Sequence, residues 1–379
     1  MNRMDRREVL VVGYPEFLSK KLVEKVLASE PDTTMLLLVT EGRHKEVQSL
    51  IASYPLAKRK RVEVFVGNMA ALDLGLTGAE YRNLLGRVTH VYHSGMSFLL
   101  KHPERYLYER NVVGTKNILD FCKEAPRLRR LFFYGSVHVS GDRSGYIREA
   151  EFKKGQKPKG HLEYTWYKAE ELVRHNRNRV NFTIFRLGNL VGDSQTGEID
   201  GFNGMYLVLA MLLHHRRNRR LILPGGCNAA SHLTAADYAV DASYYISTLP
   251  ESRGETYHVT DPNSPPVHRV LRMLTSYLGA RPPLFGVPMT MLRAAYLVPG
   301  FKAAVGVPLD VFSYLNHPVK YSTTNLEDAL QQSGIECPDF ESYFPITIEY
   351  AERKLRQENE RRELQEAYDP LDAGFWESG

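Results

Sequence analysis

A chain of 379 residues with 43% hydrophobic and 25% charged residues has the make-up of a folded globular protein, which excludes disorder, collagen-like repeats and a membrane-channel fold. Its 49 Lys+Arg against 44 Asp+Glu leave a net charge of +5, too diffuse for a dedicated nucleic-acid binder. Cys122, Cys227 and Cys337 are widely spaced, which excludes a disulfide framework or Cys-rich zinc site and points to a reducing, cytoplasmic setting.

Short apolar runs alternate with helical patterns through the first half. Val9–Val12 reads as a buried strand and Phe17–Leu27 as a helix with Leu18, Leu22, Val26 and Leu27 on one stripe. Met35–Val39, Val62–Val66, Val88–Tyr92 and Leu131–Tyr134 are further strands, separated by helices over His44–Ser53 and Glu104–Lys123. Helix Tyr164–Arg177 then precedes strand Phe182–Arg186. Strands at this spacing imply right-handed crossovers and a doubly wound parallel α/β sheet. The alternation fades beyond Gly192: helices are expected over Met205–His214, Ala235–Thr248, Val267–Gly279 and Met289–Val298, and short strands at Leu221–Leu223 and Tyr257–Val259. The basic run His214–Arg220 reads as a solvated helix end, Met289–Val298 as a core helix or the wall of a lipophilic pocket, and Ile346–Glu366 as a charge-dense helix. The expected organisation is a Rossmann-like domain over 1–192, to which 231–262 returns, a smaller interleaved substrate lobe over 193–355, and a charged tail over 356–379. No signal peptide or transmembrane segment is expected.

The turn after the first strand reads Gly13-Tyr14-Pro15-Glu16-Phe17-Leu18-Ser19. Gly13 stands where a dinucleotide turn needs its first glycine, but Glu16 and Ser19 replace the other two, and a carboxylate at Glu16 opposes a pyrophosphate. Ser136 lies just past a strand. Tyr164 and Lys168, four residues apart, share one helix face, where an ammonium favours the phenolate and suits the pair to proton transfer on a carbonyl held by Ser136.

Together with Asn111-Val112-Val113-Gly114-Thr115, Arg186-Leu187-Gly188-Asn189-Leu190-Val191-Gly192 and His232–Tyr238, these segments resemble the extended short-chain dehydrogenase/reductase family over about Val9 to Lys354. Gly192-Asp193-Ser194-Gln195-Thr196-Gly197-Glu198, Thr323-Thr324-Asn325 and the stretch from Gly334 to Phe344 are most similar to fatty-acyl and thioester reductases. The resemblance implies that Tyr164 is the acid/base, that Lys168 tunes it and holds the nicotinamide ribose, that Ser136 binds the substrate oxygen, and that Asn111 supports Lys168. It places Gly13, Phe17 and Leu18 at the pyrophosphate, Asn68 and Met69 at adenine, Gly95 and Leu190 near the cofactor, and Arg43 at the NADP phosphate, with NADP favoured over NAD.

The activity implied is NAD(P)-dependent hydride transfer to a carbonyl or thioester of a lipid-like, polyketide or peptidyl substrate, free or carrier-bound, in a chain that forms homodimers in many family members. Two other classes remain open: a non-redox cyclase, dehydratase or aldol-type enzyme, and a catalytically silent binding protein.

Overall fold

The computed structural model describes residues 6–99, 102–201, 205, 206, 208, 209, 223, 224, 229–279, 286–301, 309 and 317–368. Most of the helix expected over Met205–His214, the basic run His214–Arg220, Cys227 and the tail past Tyr368 lie outside them.

Seven strands build the main sheet: β1 (Glu8–Val12), β2 (Thr34–Val39), β3 (Val62–Val66), β4 (His90–His93), β5 (Arg130–Ser136), β6 (Phe182–Leu187) and β7 (Thr256–Val259). All neighbours are parallel, in the order β7-β6-β5-β4-β1-β2-β3. Chain order therefore reverses direction between β1 and β4, the switch point at which doubly wound sheets open a crevice at their carboxyl ends. Strands buried on both faces need apolar residues without alternation, and Val9–Val12 and Met35–Val39 supply them.

Helices cover both faces. On one side α1 (Phe17–Ser29) packs against α2 (Ala236–Thr248), whose Ser243 and Ser247 hydroxyls meet the buried phenols of Tyr134 (3.0 Å) and Tyr92 (2.6 Å). On the other side Ile118, Leu119 and Cys122 of the helix Gly114–Glu124 share a core with Trp166, Ala169 and Val173 of the helix His161–His175, over Leu10, Val91, Leu131 and Phe133 of the sheet. The single helix expected over Glu104–Lys123 is interrupted by one π turn, Glu109–Val113, between α-helical Glu104–Tyr108 and Gly114–Glu124. Gly114 fits there because a Cβ would come within 2.6 Å of the Met69 methyl.

The chain divides into two compact units. The sheet unit comprises Met1–Leu190, Asn228–Pro266 and His317–Cys337. The last segment, assigned from sequence to the substrate lobe, belongs with the sheet for a local reason. Val319–Tyr321 pairs in parallel with Gly145–Ile147, and the buried Glu149 carboxylate accepts from the amides of His258 (3.1 Å), Asn325 (2.7 Å) and Leu326 (3.2 Å). A short apolar strand and a distant carboxylate partner leave little periodic signal in sequence.

The second unit comprises Val191–Cys227, Val267–Asn316 and Pro338–Gly379. Its long helix starts at Phe340, six residues before the expected Ile346, and buries Phe344, Ile348 and Ala351. Gly197, at φ 71°, allows the turn 193–197 to lie on that helix, where a Cβ would be 2.4 Å from the Ile346 carbonyl. The helix expected over Met289–Val298 ends at Ala295, and Leu292 is its buried apolar anchor, whereas Leu297 is 84% exposed.

Candidate active site

The carboxyl ends of β1, β4 and β5 bring Gly13, Gly95 and Ser136 to one edge of the sheet unit. Gly13 has φ 108°, and a Cβ on it would stand 2.6 Å from the Gly95 Cα. Two bare backbones thus meet at the switch point, the close approach that a dinucleotide's phosphates require. Phe17 and Leu18 open α1 and are buried beneath that turn. The Ser19 hydroxyl donates to the carbonyls of Gly13 (2.9 Å) and Glu16 (2.7 Å), so the serine in place of the third glycine ties the turn closed.

Glu16 is the N-cap of α1, yet its carboxylate makes no capping bond to the helix amides. It lies instead 3.5 Å from the Arg110 guanidinium and 3.8 Å from that of Arg43. Arg43 also holds Glu46 at 2.5 Å, and this bond keeps the Glu46 carboxyl below its usual range. Arg110 is fixed through Nε to the Gly95 carbonyl (2.7 Å). Backbone shape and positive charge therefore fit a pyrophosphate, with one carboxylate set against it.

Asn68 is exposed, and its side chain caps its own turn by accepting from the Ala70 amide at 2.9 Å. Met69 is packed in the core between Gly95 and Gly114. Leu190 is half-buried in the short strand Asn189–Val191.

Ser136 ends β5, is 2% exposed, and its Oγ accepts from the His138 amide at 3.2 Å. The His138 ring is buried, bonded through Nε2 to the Asn189 side chain (3.1 Å) and stacked 6.2 Å from the Trp166 ring. Burial pushes its pKa down to about 3, so the imidazole is neutral near pH 7.

Asn111 is fully buried, and its side chain bonds Ser97 and Thr165. Its Oδ1 accepts from the Ser97 amide (2.7 Å), and its Nδ2 donates to the Thr165 hydroxyl (2.9 Å) and the Ser97 carbonyl (3.3 Å). Trp166 Nε1 donates to that same carbonyl at 2.9 Å. These bonds settle which face of the helix His161–His175 looks toward Asn111 and Ser97: it carries Leu162, Thr165, Trp166 and Ala169.

Tyr164 and Lys168 each stand two residues from Trp166, and at about 100° per residue they point about 160° away from it. Tyr164 is 40% exposed. Lys168 donates to Glu171 at 2.8 Å, and that carboxylate holds its pKa above the ordinary lysine value. Thr165 and Trp166, rather than Tyr164 and Lys168, therefore make this helix's bonds to Asn111 and Ser97, a departure from the arrangement expected from sequence. The helix begins at His161 rather than Tyr164, and the rotation of its buried face depends on packing that a four-residue spacing does not report. Tyr167 packs as expected, stacked 4.8 Å from Phe152. Arg110 and Leu162 were not singled out in the sequence; the carboxylate at Glu16, which calls for a nearby cation, was the available signal for the first.

A sequence profile of the family described as Male sterility protein, an NAD-binding group, matches residues 11–243. A linear gramicidin synthase of Brevibacillus parabrevis is 22% identical over 67% of this chain and 5% of its own length. The alcohol-forming fatty acyl-CoA reductase of Simmondsia chinensis is 26% identical over 47% of this chain and 40% of its own. The chain thus spans less than two thirds of these relatives. Among solved structures, the terminal R domain of the myxalamid PKS-NRPS biosynthetic pathway superposes with a TM-score of 0.75 at 23% identity, covering 91% of this chain and 90% of that domain.

Proposed function

This chain belongs to the Male sterility protein family, on an extended short-chain dehydrogenase/reductase scaffold, and on that premise we propose that it reduces an acyl thioester borne by coenzyme A or a carrier protein. The observation that carries the reading is the meeting of Gly13 and Gly95 at the switch point with Ser136 on the adjacent strand end. A bound nicotinamide dinucleotide supplies hydride. Gly13, Phe17, Leu18 and Gly95 cradle its phosphates, and Arg43, just past β2, favours NADP over NAD. Ser136 holds the thioester oxygen as negative charge develops on it.

Reduction of a thioester does not require the Tyr164 phenol. Collapse of the reduced adduct expels a thiolate, whose conjugate acid has a pKa of roughly 8.5, so no acid is needed at the carbonyl oxygen. Reduction of an aldehyde to an alcohol, by contrast, needs a proton delivered to an alkoxide. The product that follows from this reading is the aldehyde. The buried, unpaired thiol of Cys122 is consistent with action in the cytoplasm. No helix among the described residues is long and apolar enough to cross a membrane.

A second reading is favoured by the outward Tyr164–Lys168 pair and by Glu16: a binding protein on the same scaffold without hydride chemistry. Titration of NADPH and NADH into the purified protein, followed by product analysis with an acyl thioester, separates the two. Dinucleotide binding with aldehyde release supports the first. No binding of either nucleotide at millimolar concentration sinks it.

A further inference from the structure

We infer that Glu16 is a built-in anion that competes with the dinucleotide's phosphates, and that Arg110 is the cation for which they compete. The inference rests on the dinucleotide reading above and adds a binding residue and a competing group to it. Glu16 heads a helix of 13 residues, a position whose dipole and free amides attract anions, but its carboxylate leaves those amides unbonded. It turns to Arg110 and Arg43 at 3.5 and 3.8 Å.

Arg110 is anchored independently of Glu16. Its Nε is bonded to the Gly95 carbonyl at 2.7 Å, its Nη1 to the Tyr106 hydroxyl at 3.2 Å, and it sits in the π turn Glu109–Val113. Single π turns inside helices recur at functional positions. Here the turn sets a guanidinium on the wall of the Gly13–Gly95 cradle, and Nη2 is the end that faces Glu16. Glu16 is half-exposed and its two ion pairs are long. Pairs of that kind hold weakly in water, so a pyrophosphate carrying two charges displaces the single carboxylate. Arg110 then passes from Glu16 to the phosphate, with its anchor on Gly95 intact.

The test is calorimetric titration of the full chain with NADPH and NADH, and with adenosine as a probe lacking phosphate. Glu16→Gln keeps the shape of the side chain and removes its charge. Dinucleotide affinity is expected to rise at least tenfold, equivalent to about 1.4 kcal/mol, while adenosine affinity stays within twofold. In the E16Q background, Arg110→Gln is expected to reverse the gain. Circular dichroism and thermal melting of each variant confirm that the fold is retained.

Three results overturn the inference alone, given that the unaltered chain binds a dinucleotide. One is E16Q binding within twofold of the unaltered chain. Another is an E16Q/R110Q double variant as tight as E16Q. The third is an equal gain for adenosine. If neither the unaltered chain nor E16Q binds NADPH or NADH at millimolar concentration, the dinucleotide reading itself falls and the inference with it.

Discussion

Replacing Tyr164 with Phe separates a site built on Ser136 from the one that the Tyr-x-x-x-Lys spacing suggests. A positioned general acid contributes roughly two to four powers of ten in rate, about 2.7 to 5.4 kcal/mol of barrier. A phenol pointing about 160° from the face that carries Trp166 contributes none of it. With its ring 40% exposed, loss of the hydroxyl removes only a solvated group. Aldehyde release from an acyl thioester, followed together with the loss of NADPH absorbance, is therefore expected to stay within twofold in Tyr164→Phe. Ser136→Ala in the same assay removes an oxygen-holding donor and is expected to lose about a hundred- to a thousandfold, the range seen for loss of a single such donor. A hundredfold or greater loss in Tyr164→Phe, with the fold intact, would refute the assignment of the outer face and restore the phenol to the site.

Two further outcomes test the scaffold. Glu170 is fully buried between Arg186 (2.7 and 3.0 Å) and Arg174 (2.7 Å); burial alone would raise its pKa, but the two guanidiniums hold it below the usual carboxylate range. Glu170→Gln removes the carboxylate bonded directly to the buried Arg186 and is expected to cost about 3–5 kcal/mol in urea unfolding; a loss under about 1 kcal/mol would count against that ion pair. Burial also lowers the pKa of His90, His93 and His138 to about 3, of His232 and His317 to about 4, and of His258 well below its usual value. Because the unfolded chain takes up these protons near pH 6.5 and the folded chain does not, stability is complete above that pH and falls below it. Each group adds up to about 1.4 kcal/mol per pH unit. Glu149, raised to about 7 by burial, works in the opposite direction by a single proton. Unfolding free energy is expected to be several kcal/mol lower at pH 5.5 than at pH 7.5, and a flat profile would contradict the burial of these rings.

The parallel sheet was legible in sequence because its signal is local. Uninterrupted apolar runs at Val9–Val12, Met35–Val39 and Leu131–Tyr134 have no stable place except between two helical layers, and each became a strand of the main sheet. The positions of Gly13, directly after β1, and of Ser136, the last residue of β5, were legible for a similar reason, since the switch point is set by strand order. The partner of Glu16 was not legible. Arg110 lies far along the chain, on a π turn whose irregular hydrogen bonding leaves no mark in an amphipathic pattern.

The same limit applied to the helix His161–His175. Spacing alone establishes that Tyr164 and Lys168 share a face, but not which face turns to Asn111 and the sheet. That was decided by three long-range contacts: Thr165 with Asn111, Trp166 with the Ser97 carbonyl, and Glu170 with Arg186. Composition and periodicity by themselves determined a doubly wound α/β chain with a hydroxyl at the carboxyl edge of its sheet. Only the tertiary structure decided which side chains meet there, because the rotation of a helix about its axis is set by what it packs against and not by its own sequence period.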